Sequence, residues 1–97
     1  LIMKAYWIAV YKDMKNPENI KKYGAKATPA INKYNGVILA RGGKVETIEG
    51  YPSPRTVLIE FPTMQDAIKC YNSNEYQEAM KIGKGEFNRH IQIVEGI

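Results

Sequence analysis

A chain of 97 residues with 44% hydrophobic and 25% charged side chains is sized and composed for one globular domain of modest core, not for a disordered segment or a string of domains. Its net charge of +4 invites a nucleic-acid partner, yet no glycine-aromatic RNA-binding signature, zinc-finger spacing or helix-turn-helix pattern accompanies the lysines, so none is expected. The lone Cys70 rules out an intrachain disulfide and suits a reduced, cytoplasmic setting, while the apolar opening Leu1–Tyr11 is too short to cross a bilayer and lacks the marks of a signal peptide, so no membrane partner is expected either.

The first strand is read over Lys4–Lys12, where Tyr6, Ile8 and Val10 alternate with Ala5, Trp7, Ala9 and Tyr11. Asn16-Pro17-Glu18 then opens a helix: Asn16 caps it, Pro17 suits its first turn, and Glu18 complements its positive end. Ile20, Tyr23, Ala27, Ala30, Ile31 and Tyr34 form its apolar stripe, and Lys15, Lys22, Lys26 and Lys33 gather on the opposite, solvated side. Pro29 falls on the outer face and bends the helix by removing a donor and crowding the carbonyl of Ala25; Asn35-Gly36 ends it.

Val37–Arg41 is the second strand. The pair Gly42-Gly43 marks a bulge or sharp bend, or alternatively opens room for a ligand beside Arg41, and Lys44–Glu49 resumes a strand-like alternation. After a loop at 50–54, Arg55–Phe61 is the third strand. Thr63 and Asp66 open a second helix with Ala67, Ile68 and Tyr71 inward, and Ser73 caps a further short helix carrying Tyr76, Ala79 and Met80. Gly83-Lys84-Gly85 ends that helix. The last strand is Asn88–Glu95, with Ile91 and Ile93 on one face and His90, Gln92 and Val94 on the other.

Strand, helix, strand, strand, helix, strand is the split βαβ unit written twice, an α+β, ferredoxin-like βαββαβ fold with a four-stranded antiparallel sheet, in one domain over residues 1–97. Right-handed crossovers place both helices on one side of the sheet. The helices are expected to cover Tyr6, Ile8, Val10, Ile38, Ala40, Val57, Ile59, Phe61, Ile91 and Ile93. The other face then carries Trp7, Val37, Leu39, Leu58 and Val94 among the polar groups Tyr11, Arg41, Glu60, His90 and Gln92. So much apolar surface is unusual on a soluble monomer, and a second copy packed face to face would cover it. A homodimer is therefore expected.

Several segments together resemble a known family. They are Lys4-Ala5-Tyr6-Trp7-Ile8-Ala9, Ala27-Thr28-Pro29-Ala30, Leu39-Ala40-Arg41-Gly42-Gly43, Ile59-Glu60-Phe61-Pro62, Tyr71-Asn72-Ser73-Asn74-Glu75-Tyr76-Gln77 and Val94-Glu95-Gly96. In that order and spacing they are similar to a small bacterial family catalogued only as a domain of unknown function, within the dimeric alpha-beta barrel superfamily. Asn74 departs from it by standing where a proline is common, and Gly83-Lys84-Gly85 by making a shorter helix end. The resemblance implies two ferredoxin-like subunits forming a barrel, each with a cleft between its sheet and helices or facing the dimer centre. Relatives in the wider superfamily include cofactor-free monooxygenases, haem-degrading enzymes and lactone isomerases, but the family brings no reaction of its own.

Arg41 and Glu60 are expected on neighbouring antiparallel strands with both side chains on the mixed face. They are either an ion pair in the subunit contact, costly to desolvate, or a pocket in which Arg41 holds an anionic or carbonyl oxygen and Glu60 acts as acceptor or general base. His90, the one histidine, is the third candidate catalytic group, or a packed or surface residue. Trp7, Tyr11, Tyr23, Gly42, Gly43 and Gln92 are candidate ligand-binding residues, with core packing the other reading for Trp7 and Tyr23. Cys70 reads as packing, since no base stands near it in sequence. No metal site is expected from His90, Glu60 and Cys70, and no cofactor is implied. The chain thus reads as a homodimeric small-molecule-binding protein with two alternatives. One is a cofactor-independent enzyme on a small anionic or carbonyl-bearing metabolite, monooxygenase-like or isomerase-like by the superfamily resemblance; the other is a non-catalytic ligand-sensing or structural dimer.

Overall fold

The central strand, β1 (Ala5–Met14), sets the architecture because it pairs on both edges. A computed structural model describes residues 2–97. Helix α1 (Pro17–Lys33) follows, then strands β2 (Val37–Arg41) and β3 (Arg55–Phe61), helices α2 (Met64–Asn72) and α3 (Asn74–Gly83), and strand β4 (Phe87–Glu95). The sheet order is β2-β3-β1-β4 with every neighbouring pair antiparallel, the ferredoxin-like arrangement expected from the element order. Among the described residues no helix is long and apolar enough to cross a membrane.

Local chemistry explains the helix ends. Asn16 accepts a hydrogen bond from the Glu18 amide at 3.0 Å, and Thr63 accepts one from the Asp66 amide at 3.1 Å. Ser73 both closes α2, donating to the Cys70 carbonyl at 2.7 Å, and opens α3, accepting from the Tyr76 amide at 3.1 Å. One buried serine thus ends one helix and begins the next, accepting one of the amides that the start of α3 leaves free. At the end of α1 the Gly36 amide donates back to the Ile31 carbonyl at 2.9 Å. Gly36 is required there by space: a Cβ would sit 2.6 Å from Ile31 and 2.9 Å from the Phe61 ring. The lysine side of α1 is exposed at Lys22, Lys26 and Lys33.

Two strands sit differently from expectation. In β1 the helices cover Ala5, Trp7, Ala9 and Tyr11, each at most 2% exposed, whereas Tyr6, Ile8 and Val10 lie half-buried on the open face. Small alanines on either side of Trp7 let the helices approach the sheet closely, and the indole fills the space between them. It packs 5.9 Å from the Phe61 ring and edge-on to Tyr76 at 5.1 Å, centroid to centroid. In β2 a bulge lies between Ile38 and Ala40, so Ala40 pairs with Leu58 and Arg41 with Val57. One extra residue reverses the facing of the rest of the strand. Ala40 therefore belongs to the open face and Arg41 to the helix side, the reverse of the expected assignment.

The bulge is not at Gly42-Gly43, which instead ends the strand, with Gly42 at φ 78°. Residues 44–49 form no strand. Ile68 points outward at 45% exposure, and Cys70 takes the buried position instead. The packing reading of Cys70 holds: its thiol is fully buried, lies 3.7 Å from the Ala30 carbonyl, and is pushed up to about 11 by burial and, secondarily, by the Glu75 charge.

Candidate functional site

At the α1 end of the sheet, strand register builds a row of three side chains on the helix-covered face. Tyr11 in β1 pairs with Arg55 in β3 on one side and with Arg89 in β4 on the other. Arg41 in β2 stands next to the row, through its pairing with Val57 two residues along β3 from Arg55. Ser53 fixes the start of β3: its hydroxyl lies 2.6 Å from the Tyr11 carbonyl and 2.9 Å from that of Arg55. The Arg55 and Arg89 guanidiniums lie 6.0 and 5.6 Å from the Tyr11 ring centroid, within cation–π range.

The helices close the site from above. Tyr23 comes from α1 and Tyr76 from α3, and their hydroxyls hydrogen-bond to each other. The Arg89 guanidinium reaches up between them, Nη1 donating to Tyr11 Oη at 3.1 Å and Tyr23 Oη at 3.2 Å, and Nη2 donating to Tyr76 Oη at 3.0 Å. Met80 Sδ lies 3.3 Å from Nη2, and the Phe87 ring lies 4.6 Å from the guanidinium carbon. Gly83 permits this crowding, since a Cβ there would fall 2.6 Å from Phe87 and 3.1 Å from Tyr23.

Electrostatically the cluster is unbalanced. Tyr23 and Tyr76 are both pushed above the ordinary phenol value, mainly by burial. At neutral pH they are therefore uncharged, and Arg89 has hydroxyls and a thioether around it but no counter-charge. Among the described residues all four ion pairs are made by lysines, namely Lys4, Lys33, Lys44 and Lys81. None of the three arginines of the site is paired with a carboxylate.

Beside the cluster a narrow cleft opens between α1 and the sheet, with a cavity volume of about 40 Å³. Trp7, Ile31, Ile38, Val57 and Ile59 supply apolar walls, Tyr11, Tyr23 and Arg89 the polar inner end, and Arg41 and Arg55 its other cationic groups. The same two arginines also line the wider outer groove with Lys21 and Thr28. Arg41 Nη1 donates to Thr28 Oγ1 at 2.9 Å. An apolar body flanked by guanidinium and phenol donors is the chemistry of a small organic anion or a polarised carbonyl. Among the described residues no three His, Cys, Asp or Glu side chains gather as a metal site.

Residues 4–97 match the family model described as a domain of unknown function, DUF1330. The chain belongs to that family. No curated protein is similar to it in sequence at a significant level. Among solved structures, the DUF1330 chain is similar to a protein of unknown function from Rhodopseudomonas palustris, at TM-score 0.79 and 13% identity over 100% of this chain and 85% of that one. It is also similar to SnoaB, a cofactor-independent oxygenase from Streptomyces nogalater, at TM-score 0.66 and 4% identity over 100% and 95% of the two chains. A dimeric ferredoxin-like protein of unknown function from Bacteroides fragilis aligns at TM-score 0.57 and 17% identity over 96% of each. These likenesses establish the ferredoxin-like fold.

The candidate residues of the DUF1330 chain divide between the two faces. Trp7, Tyr11, Tyr23 and Arg41 line the cleft. Gly42 lies at its mouth, where a Cβ would stand 3.4 Å from Arg55 Nη1, while Gly43 faces open space. Glu60, His90 and Gln92 lie on the opposite face of the sheet. Arg41 and Glu60 are therefore separated by the sheet, and neither the expected ion pair nor the expected shared pocket forms. Glu60 instead has Lys4 at 3.5 Å and the Tyr6 hydroxyl at 3.4 Å. His90 Nε2 contacts Gln92 Oε1 at 3.1 Å in the open. Glu60 stands opposite Tyr6 and His90 opposite Val10, four residues apart along β1, or about 13 Å. They cannot act on one atom within a subunit.

Arg89, Arg55 and Tyr76 are the site residues that sequence reasoning missed. The signal for Arg89 was present: alternation places it on the same face as Ile91 and Ile93, and an arginine on the core face of a strand demands a reason. Tyr76 was read as packing, which is true of its ring but omits its hydroxyl.

Proposed function

We propose that this DUF1330 protein is a homodimer whose subunits each bind a small, partly apolar anion, or a carbonyl compound that becomes one, in the cleft between α1 and the sheet. One observation carries the reading: Arg89 is enclosed among three phenols with no carboxylate to balance it. A guanidinium in that setting favours an anion as its missing partner. Tyr11 extends the argument. Its oxygen accepts from Arg89, and its own proton meets no acceptor among the described residues, so it is free to donate to a ligand oxygen. Acceptance from a cation makes that phenol a stronger donor.

The chemistry this supports is stabilisation of negative charge on oxygen, as on a carboxylate or an enolate, next to walls that exclude water. Among the described residues no carboxylate or imidazole lines the cleft. A cofactor-independent enzyme working here would stabilise an oxyanion and leave proton abstraction to the substrate or co-substrate. The fold shared with SnoaB is compatible with that chemistry, but the residues argue for binding first. Arg41 acts at the mouth, and Glu60, His90 and Gln92 belong to the open face. There Tyr6, Ile8, Val10 and Leu58 are half-buried and Val37 and Val94 are 52% and 47% exposed. A second subunit would cover this surface, and the similar Bacteroides fragilis protein is itself dimeric.

The test uses pentanoate and pentanamide, equal in shape and different in charge, titrated into 15N-labelled protein. Pentanoate should shift the amides of Tyr11, Tyr23 and Arg89, and pentanamide should bind at least about tenfold more weakly, the loss expected for a charge-assisted contact. Arg89→Met should remove the difference between the two. Equal binding of both compounds, or shifts confined to the open face, would overturn the reading.

A further inference from the structure

We infer that the cleft takes a ligand with two acidic groups joined by a short apolar spacer, one held at the inner Arg89 end and the other at the Arg41–Arg55 mouth. This rests on the anion-binding reading above and deepens it. The Nη groups of Arg89 already donate to the phenols, so the inner end offers the charge of one guanidinium and the Tyr11 hydroxyl, a site for a single acidic group. The two mouth arginines are a separate charge source. Their strands are β2 and β3, whereas Arg89 is on β4, beyond the intervening β1. Arg55 and Arg89 flank Tyr11 from opposite sides, which separates their backbones by two strand spacings, about 10 Å.

Among the described residues neither mouth arginine is paired with a carboxylate. Arg41 is exposed and donates only to Thr28 Oγ1, and Arg55 is half-buried over the Tyr11 ring. Both nonetheless line the inner cleft as well as its outer groove. The glycine at 42, held at φ 78°, leaves the space beside Arg55 Nη1 open, where any other side chain would be both strained and in contact with the guanidinium. Between the two charged ends the floor is apolar, built by Trp7, Val57 and Ile59. A spacer of a few methylenes matches that floor in chemistry, while polar substituents there would lose hydration without a partner.

A dicarboxylate series tests this. Glutarate and adipate are titrated against pentanoate, with binding read by amide shifts and by calorimetry at low salt. At least one dicarboxylate should bind about tenfold or more tightly than pentanoate, because a second charge-assisted contact is made. In Arg41→Gln and Arg55→Gln proteins that retain native amide dispersion, the ratio of dicarboxylate to pentanoate affinity should fall toward one. In Arg89→Met both affinities should fall together. If pentanoate binds in the cleft and neither dicarboxylate gains, the two-ended ligand is wrong and the anion site stands. A ratio that survives both mouth substitutions also overturns the two-ended assignment. If neither class binds in the cleft, both readings fail.

Discussion

The two faces of the sheet invert what their side chains suggest. The helix-covered face holds the largest rings and, at one end, an arginine with no counter-charge. The open face carries the largely apolar set Tyr6, Ile8 and Val10, which looks like a core. The difference teaches that a central strand flanked on both sides cannot be oriented by hydrophobicity alone. What orients β1 is volume: Ala5 and Ala9 allow helices to sit close, and only one large residue, Trp7, is needed between them. Charge follows a similar logic, since the exposed acids and lysines neutralise one another while the arginines at the covered end remain unpaired.

The largest test of that contrast is Trp7→Ala. With Trp7 1% exposed beneath the helices, the substitution should cost about 3–5 kcal/mol of subunit stability, enough to unfold much of a small domain. Urea denaturation followed by far-ultraviolet circular dichroism reads it. Had Trp7 lain on the open face, the loss would appear in subunit association instead, with little change in the unfolding midpoint of the separated subunit.

The converse substitution is Ile8→Asp, on the open face at the centre of β1. It should leave the secondary structure in place and weaken the proposed homodimer by about a hundredfold, or about 2.7 kcal/mol, since a charge would be buried in an apolar contact. Light scattering against concentration distinguishes an 11.0 kDa particle from twice that mass. A fold that collapses with Ile8→Asp, or an association that ignores it, would place the contact elsewhere.

Much of the fold was legible because its signals are local. The caps Asn16, Thr63 and Ser73 each predict a helix start, and the order of the elements then leaves few topologies. β4 also read correctly, with Ile91 and Ile93 inward and His90 and Gln92 outward. The site was less legible for two physical reasons. The bulge at Leu39 has no glycine to mark it, yet it carries Arg41 to the other side of the sheet, undoing the expected partnership with Glu60. And the cluster on Arg89 is assembled from β1, α1, α3 and β4, so no spacing in the chain announces it. Period-two alternation alone would have placed Arg89 in the core, and the absence of an acidic neighbour is visible only in three dimensions.

A smaller effect comes from Cys70 under α2. Burial raises its thiol to about 11 from an ordinary 9.0, so above pH 9 the unfolded chain releases a proton that the folded chain keeps. Stability contributed by the neutral buried thiol is complete below pH 9 and is lost as pH rises through 11, by about 2 kcal/mol at pH 10.5. Chemical denaturation at pH 8, 9.5 and 10.5 should show this decline, and Cys70→Ala should flatten that part of it contributed by the thiol. An equal slope in both proteins would mean that the thiol is not enclosed as described.

The finest comparison is between two tyrosines five residues apart on the same strand and on opposite faces. Tyr11→Phe takes one acceptor from a guanidinium that has only neutral partners, and the lost hydrogen bond to a charged group should cost about 1.5 kcal/mol. Tyr6→Phe removes a hydroxyl 3.4 Å from Glu60, at the long end of hydrogen bonding and half-exposed to water, so its cost should stay within about 0.5 kcal/mol. The ring is retained in both proteins, which isolates the hydroxyl. Pentanoate affinity separates them further: it should fall in Tyr11→Phe, where a donor to the ligand disappears, and hold in Tyr6→Phe. Equal costs and equal affinities would show that Arg89 does not depend on its phenols and that the cleft is not where the anion sits.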